Sequence, residues 1–129
     1  MIYLNGHLIR EVDARIDISD RGFTLGDGLF ETMRAYRGNI FRLGNHLDRL
    51  EEGARELGIP LPLEKPTLIT VLDRLIRENN HKKSDASLRI TLTRGPGPRG
   101  VLPPPEPRPT LLITTAPINP SPRALWAVL

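Results

Sequence analysis

Arginine is the residue type whose placement in this 129-residue chain could do chemistry. Eighteen bases stand against 15 acids for a net charge of +3, and all of the bases except Lys65, Lys82 and Lys83 are Arg. A guanidinium keeps its charge at any ordinary pH and offers a planar fork of donors that matches carboxylate or phosphate. Arg34 and Arg89 fall on the polar positions of two alternating segments whose other positions are apolar, so both are expected on one sheet face. Arg49 lies beside the apolar stripe of a helical pattern, one turn from His46 and Gly53. Together the three would suit an anion such as phosphate or carboxylate. The plainer reading has Arg34 and Arg89 facing water or pairing with Glu31, Glu52 or Asp27.

Other arrangements yield less. Gly26-Asp27-Gly28 reads as a turn: it lacks the lysine of a phosphate-binding loop and is not a dinucleotide fingerprint. Arg94-Gly95-Pro96-Gly97-Pro98-Arg99-Gly100 offers backbone amides and two guanidiniums, and serves equally well as a structural loop. His46 reads as a satisfied or capping histidine, and neither His7 nor His81 has the neighbours of a catalytic triad. No carboxylate pair and no metal-ligand cluster is visible. The three lysines fall at helix ends or in loops, none in the desolvated setting of an amine poised for covalent chemistry. From the residues alone, the chain is an α+β module with an anion-receptive face and no obvious nucleophile.

Composition narrows the class. With 39% apolar and 26% charged residues the chain has the balance of a folded globular domain. No apolar run approaches the about 20 residues that span a bilayer, and the N-terminus lacks a signal peptide's regions, so a cytoplasmic protein without a membrane partner is expected. The absence of cysteine excludes disulfides, zinc–cysteine sites and thiol nucleophiles. Three Phe, two Tyr and one Trp offer little for base stacking, and the arginines are dispersed, so anionic small molecules are favoured over nucleic acid.

These side chains need a scaffold. Asn5-Gly6 marks a type I′ hairpin between Tyr3 and Ile9, and Ile16 and Ile18 alternate with polar neighbours as in a strand. Breaks follow at Ser19-Asp20-Arg21-Gly22 and Gly26-Asp27-Gly28. Leu29, Glu31, Met33 and Ala35 then share one face of a strand, and Phe30, Thr32, Arg34 and Tyr36 the other; Arg37-Gly38-Asn39 turns it into a short return over Ile40-Phe41-Arg42. Leu43, Leu47, Leu50, Ala54 and Leu57 define a first helix with Asn45 as its cap and Gly58 as its stop. A second helix starts near Pro66, buries Leu68, Leu72, Leu75 and Ile76, and ends at Asn79-Asn80. Strands are expected at Ala86–Thr93 and Thr110–Thr115. The loop between them, 94–109, holds seven prolines, and loops of that length are often functional. The order predicts an α+β fold, a mostly antiparallel sheet with two helices packed on one face. The domain is expected over residues 1–117, with a linker and the opening strand of another domain over 118–129.

Four segments occur in an order that resembles a known family: Tyr3-Leu4-Asn5-Gly6; Asp20-Arg21-Gly22-Phe23-Thr24-Leu25-Gly26-Asp27-Gly28-Leu29-Phe30-Glu31-Thr32-Met33-Arg34; His46-Leu47-Asp48-Arg49-Leu50; and Thr93-Arg94-Gly95-Pro96-Gly97-Pro98-Arg99-Gly100. They resemble the N-terminal half of the class IV aminotransferases, fold-type IV enzymes that use pyridoxal 5′-phosphate and include branched-chain and D-amino-acid aminotransferases and aminodeoxychorismate lyases. The resemblance implies that Arg49 grips the cofactor phosphate. It implies that Phe30, Arg34 and Arg89 line the substrate pocket, and that Arg99 reaches a substrate carboxylate across a homodimer. Val101 departs from the His of D-amino-acid enzymes and from the Tyr that often follows in aminodeoxychorismate lyases. The family's catalytic lysine lies in its larger domain, so this chain is expected to be a catalytically silent fragment of an enzyme acting on an amino acid or an aminodeoxychorismate-type substrate. The alternative is a non-catalytic dimerising or anion-binding module derived from that family.

Overall fold

The computed structural model describes residues 1–98 and 100–118. Its frame is a six-stranded, wholly antiparallel sheet in the order β2-β1-β6-β5-β3-β4. β1 (Ile2–Leu4) and β2 (His7–Ile9) form the hairpin expected at Asn5-Gly6, whose φ values of 47° and 93° suit a type I′ turn. β3 (Gly28–Tyr36) turns through Arg37 and Gly38, again with positive φ, into the two-residue β4 (Asn39–Ile40). β5 (Ala86–Thr93) and β6 (Thr110–Pro117) complete the sheet.

Two helices cover one face. In α2 (Leu43–Leu57), Leu47, Leu50 and Ala54 are buried, and the helix stops at Gly58, whose φ of 67° needs a residue without a Cβ penalty. In α3 (Lys65–Glu78), Pro66 occupies the first turn and Leu68, Leu72, Leu75 and Ile76 point inward. These side chains meet Met33, Ala35, Leu88, Ile90, Leu92, Leu111 and Ile113 from the sheet in one apolar cluster. Each fully buried Leu or Ile there contributes about 1.5–3 kcal/mol over leaving it in water. The expected fold class therefore stands.

Three local expectations are corrected. The segment carrying Ile16 and Ile18 pairs with no strand, and Ile18 is 85% exposed; alternation without a neighbouring edge to bond to does not make a strand. What reads as two breaks is a short helix, α1 (Arg21–Leu25). Asp20 caps it by accepting from the Gly22 amide at 2.8 Å, and Gly26 closes it in the left-handed region. Asn45 is not a cap: α2 begins two residues earlier at Leu43, after Arg42, which takes a left-handed turn of φ 54°. The expected linker and strand over 118–129 lie outside the described residues apart from Ile118.

α1 and the start of the 94–109 loop are fastened by buried polar groups rather than by apolar packing. The Arg21 amide donates to the Gly95 carbonyl at 2.8 Å. The Asp20 carboxylate also accepts from the hydroxyls of Thr93 and Thr110. Asp27 accepts from two guanidiniums at once, Arg21 Nε and Arg94 Nε, each at 2.8 Å. Arg94 further donates to the carbonyls of Leu57 and Gly58, where the negative end of the α2 dipole welcomes a cation. Close backbone approach completes the joint: a Cβ on Gly95 would collide with the Arg108 carbonyl, and one on Gly22 with Thr93.

Hydrogen bonds from Arg94 and Arg21 hold the Asp27 carboxyl below the usual aspartate range against the opposing effect of burial. A depressed folded-state value stabilises the fold above the unfolded value and is lost as pH falls through the folded one. Asp27→Asn is expected to cost about 3 kcal/mol at pH 7, because it leaves two nearly buried cations short of charge. The gap between wild type and variant should close below about pH 4, read as urea midpoints across pH.

Candidate functional site

β3 sets the site out on two sides. Its helix-facing positions run Glu31, Met33, Ala35, all buried, and its open positions run Phe30, Thr32, Arg34, Tyr36, all exposed. Glu31 is the exception to an apolar row, and a buried carboxylate needs partners. It has two. His46 Nδ1 lies 2.8 Å from one carboxylate oxygen and Arg49 Nε 3.0 Å from the other. Both come from α2, where a spacing of three puts them on one helix face toward β3. Arg49 bonds through Nε alone among the described residues, and its side chain is 75% exposed, so both terminal nitrogens face outward.

On the open side, β3 and β5 run in register with Phe30 opposite Thr91, Thr32 opposite Arg89 and Arg34 opposite Ser87. Arg89 is therefore a diagonal neighbour of both Phe30 and Arg34. Its guanidinium carbon sits 3.9 Å from the centre of the Phe30 ring. Stacking covers one face of the guanidinium, Nε donates to the Thr91 hydroxyl at 3.4 Å, and the terminal nitrogens stay open to a carboxylate. Among the described residues, neither Arg34 nor Arg89 pairs with an acid: of the three partners considered for them, Glu31 and Asp27 are committed to other cations and Glu52 pairs with neither arginine. Further along the face, Phe41 meets Tyr36 edge-on and Arg42 stands over Phe41.

The expected site residues thus form two sets rather than one. Phe30, Arg34 and Arg89 share the open face, while Arg49 stands on the helix side of the same strand. Arg99 lies outside the described residues. The loop just after it is held by Arg21, whose side chain is only 5% exposed. Its terminal nitrogens donate to the carbonyls of Gly100 and Val101 at 3.1 Å, with Leu102 at 3.4 Å. A cleft of about 480 Å³ opens between α1 and this loop, lined among others by Ile18, Thr24, Leu25 and Pro98. Glu31, Asp27 and Arg21 are the residues that reading the sequence missed. The signal was present for Glu31, an acid at an apolar position of a strand facing a helix that carries His46 and Arg49.

Residues 28–127 match the amino-transferase class IV family. A putative branched-chain-amino-acid aminotransferase of Methanocaldococcus jannaschii is 41% identical over 119 residues, 92% of this chain and 41% of that protein. The aminodeoxychorismate lyase of Bacillus subtilis is 36% identical over 112 residues, 87% of this chain and 38% of that protein. The crystal structure of the Escherichia coli branched-chain amino acid aminotransferase superposes with a TM-score of 0.83 at 26% identity, over 91% of this chain and 39% of that one. The chain spans about two-fifths of the length of the relatives it matches.

The lysines can be ordered by reactivity. Lys65 pairs with Asp48 and, at 3.5 Å, with Glu51, and its hydrogen bond to Asp48 raises its pKa above the ordinary lysine value. An amine held protonated is a poor nucleophile. Limited acylation at pH 8, followed by peptide mapping, should modify Lys65 more slowly than the exposed Lys82 and Lys83.

Proposed function

Because the chain belongs to the class IV aminotransferases, we propose that it is the smaller, substrate-facing domain of an enzyme that uses pyridoxal 5′-phosphate to act on an amino acid. The reaction is transamination or, alternatively, release of pyruvate from aminodeoxychorismate. The observation that carries this reading is the division of β3: an outward-facing guanidinium at Arg49, backed by Glu31, and an open face where Arg89 lies on Phe30 beside Arg34. Arg49 fits one arm of a phosphate site, since its free edge offers parallel donors and no acid other than Glu31 lies within pairing distance among the described residues. When bound, the cofactor supplies an electron sink at the substrate α-carbon.

The chain's own residues then bind and orient. Arg49 holds the cofactor phosphate. Arg34 and Arg89 hold a substrate carboxylate, Arg89 kept in place by the Phe30 ring, and the ring also offers an apolar wall to the substrate side chain. Arg99 reaches a substrate carboxylate across a homodimer. In support of self-association, Ile18, Phe23, Val101 and Leu102 are each more than three-quarters exposed around α1 and the loop, and burying large apolar side chains against a partner is favourable. On these 129 residues alone no turnover is expected: Lys65 is paired with Asp48 and Glu51 and Lys82 and Lys83 are exposed, none in the desolvated setting that readies an amine for covalent chemistry. Borohydride reduction of the chain with pyridoxal 5′-phosphate tests that point: one lysine labelled stoichiometrically would overturn it.

The enzyme as encoded by the whole gene tests the role of each arginine. Arg49→Ala should raise the cofactor concentration needed for half-saturation by about 10–100-fold, the loss of a charge-assisted pair. Arg89→Ala should raise KM for the amino acid and leave cofactor affinity unchanged. Equal effects of both variants on both constants would contradict the assignment of phosphate to one side and substrate to the other.

A further inference from the structure

We propose that Glu31 is a positioning residue that orders Arg49 for anion capture, an inference that rests on the reading of Arg49 as the phosphate grip. The strand places this carboxylate among Leu29, Met33 and Ala35, only 5% exposed, where a well-packed apolar residue would be the easier choice. Both of its oxygens are used on side chains of the same helix face. The bond to Arg49 engages Nε and leaves the end-on edge of the guanidinium, with its two terminal nitrogens, free on a mostly exposed side chain. His46 takes the other oxygen and stops the carboxylate from rotating away. A mostly exposed Arg without this tether would sample many rotamers and lose that freedom on binding an anion; Glu31 removes most of this loss beforehand.

The same carboxylate carries a negative charge that opposes an incoming anion. Position and charge therefore pull in opposite directions, and variants can separate them. Glu31→Gln keeps an acceptor for Arg49 Nε and drops the charge. Glu31→Met drops both while filling the apolar position with a side chain of similar size. The probe is pyridoxamine 5′-phosphate, which has the phosphate but no aldehyde to react with stray lysines. Affinity is read by calorimetry on this chain. The Arg49 Nε–H resonance, assigned through Arg49→Lys, is read by nuclear magnetic resonance.

The expected result is a slowly exchanging Nε–H in wild type and Glu31→Gln that is lost in Glu31→Met, with Glu31→Met binding about tenfold more weakly and Glu31→Gln at least as tightly as wild type. Tighter binding by both variants would show that charge alone matters and overturn the proposal. So would unchanged affinity and an unchanged Nε–H in Glu31→Met, the outcome for a carboxylate with only a structural role. If wild type and Arg49→Ala bind the probe equally while the Nε–H is still lost in Glu31→Met, the phosphate reading of Arg49 fails and the purpose assigned to Glu31 falls with it, although the tether itself stands.

Discussion

β3 must serve two solvents at once, and the rest of the molecule is arranged around that constraint. Its eight paired positions with β5 leave no freedom of register, since a slip of one residue would put Phe30 and Arg34 into the core and Met33 and Ala35 into water. The apolar row packs against α2, while α3 lies over β6 and β1 of the same sheet face. The opposite row becomes a surface where cations and rings alternate. A strand that seals a core on one side can hold charged groups on the other within narrow limits of position, which a loop could not do.

The second joint is polar. Asp27, at the mouth of β3, collects Arg21 from α1 and Arg94 from the end of β5, and Arg94 continues to the last carbonyls of α2. Arg21 passes the connection on to the carbonyls of the proline-rich loop. Neither guanidinium is exposed by more than 12%, so the carboxylate between them carries a weight that surface ion pairs do not. Prolines cannot donate backbone hydrogen bonds, which leaves this loop short of ways to fasten itself. A buried arginine that gathers successive carbonyls supplies what the loop's own backbone lacks. No buried side-chain donor or acceptor among the described residues is left without a partner.

Much of this architecture was legible in the residues, and the failures have a common cause. The alternation in β3 and β5 and the stripes of α2 and α3 are periodic over two or more turns, so they survive reading in isolation. The placement of Phe30, Arg34 and Arg89 on one face followed from that alternation. α1 did not, because five residues around Gly22 carry no periodic signal and the helix depends on Asp20, Thr93 and Thr110 coming together from distant parts of the chain. Ile16 and Ile18 misled for the converse reason: their pattern was local, but a strand needs a neighbour. Glu31 was placed on the correct face and its pairing with His46 and Arg49 was missed, since that depends on what α2 brings opposite it.

The two sets of arginines are ordered by different means, and the difference bears on what each can bind. Arg49 is ordered by a carboxylate, so its charge is already countered and its attraction for an anion depends on short-range geometry, the fit of two parallel donors to two oxygens. Arg89 is ordered by an aromatic ring, which fixes its plane without cancelling its charge, and Arg34 beside it has no acid among the described residues. The open face therefore keeps a positive field that draws anions from a distance and weakens with salt over about 10 Å at 0.1 M. A site that must hold one group in place and let another come and go is well served by this division. The geometrically held Arg49 suits the group that stays, and the field of Arg34 and Arg89 suits the group that exchanges.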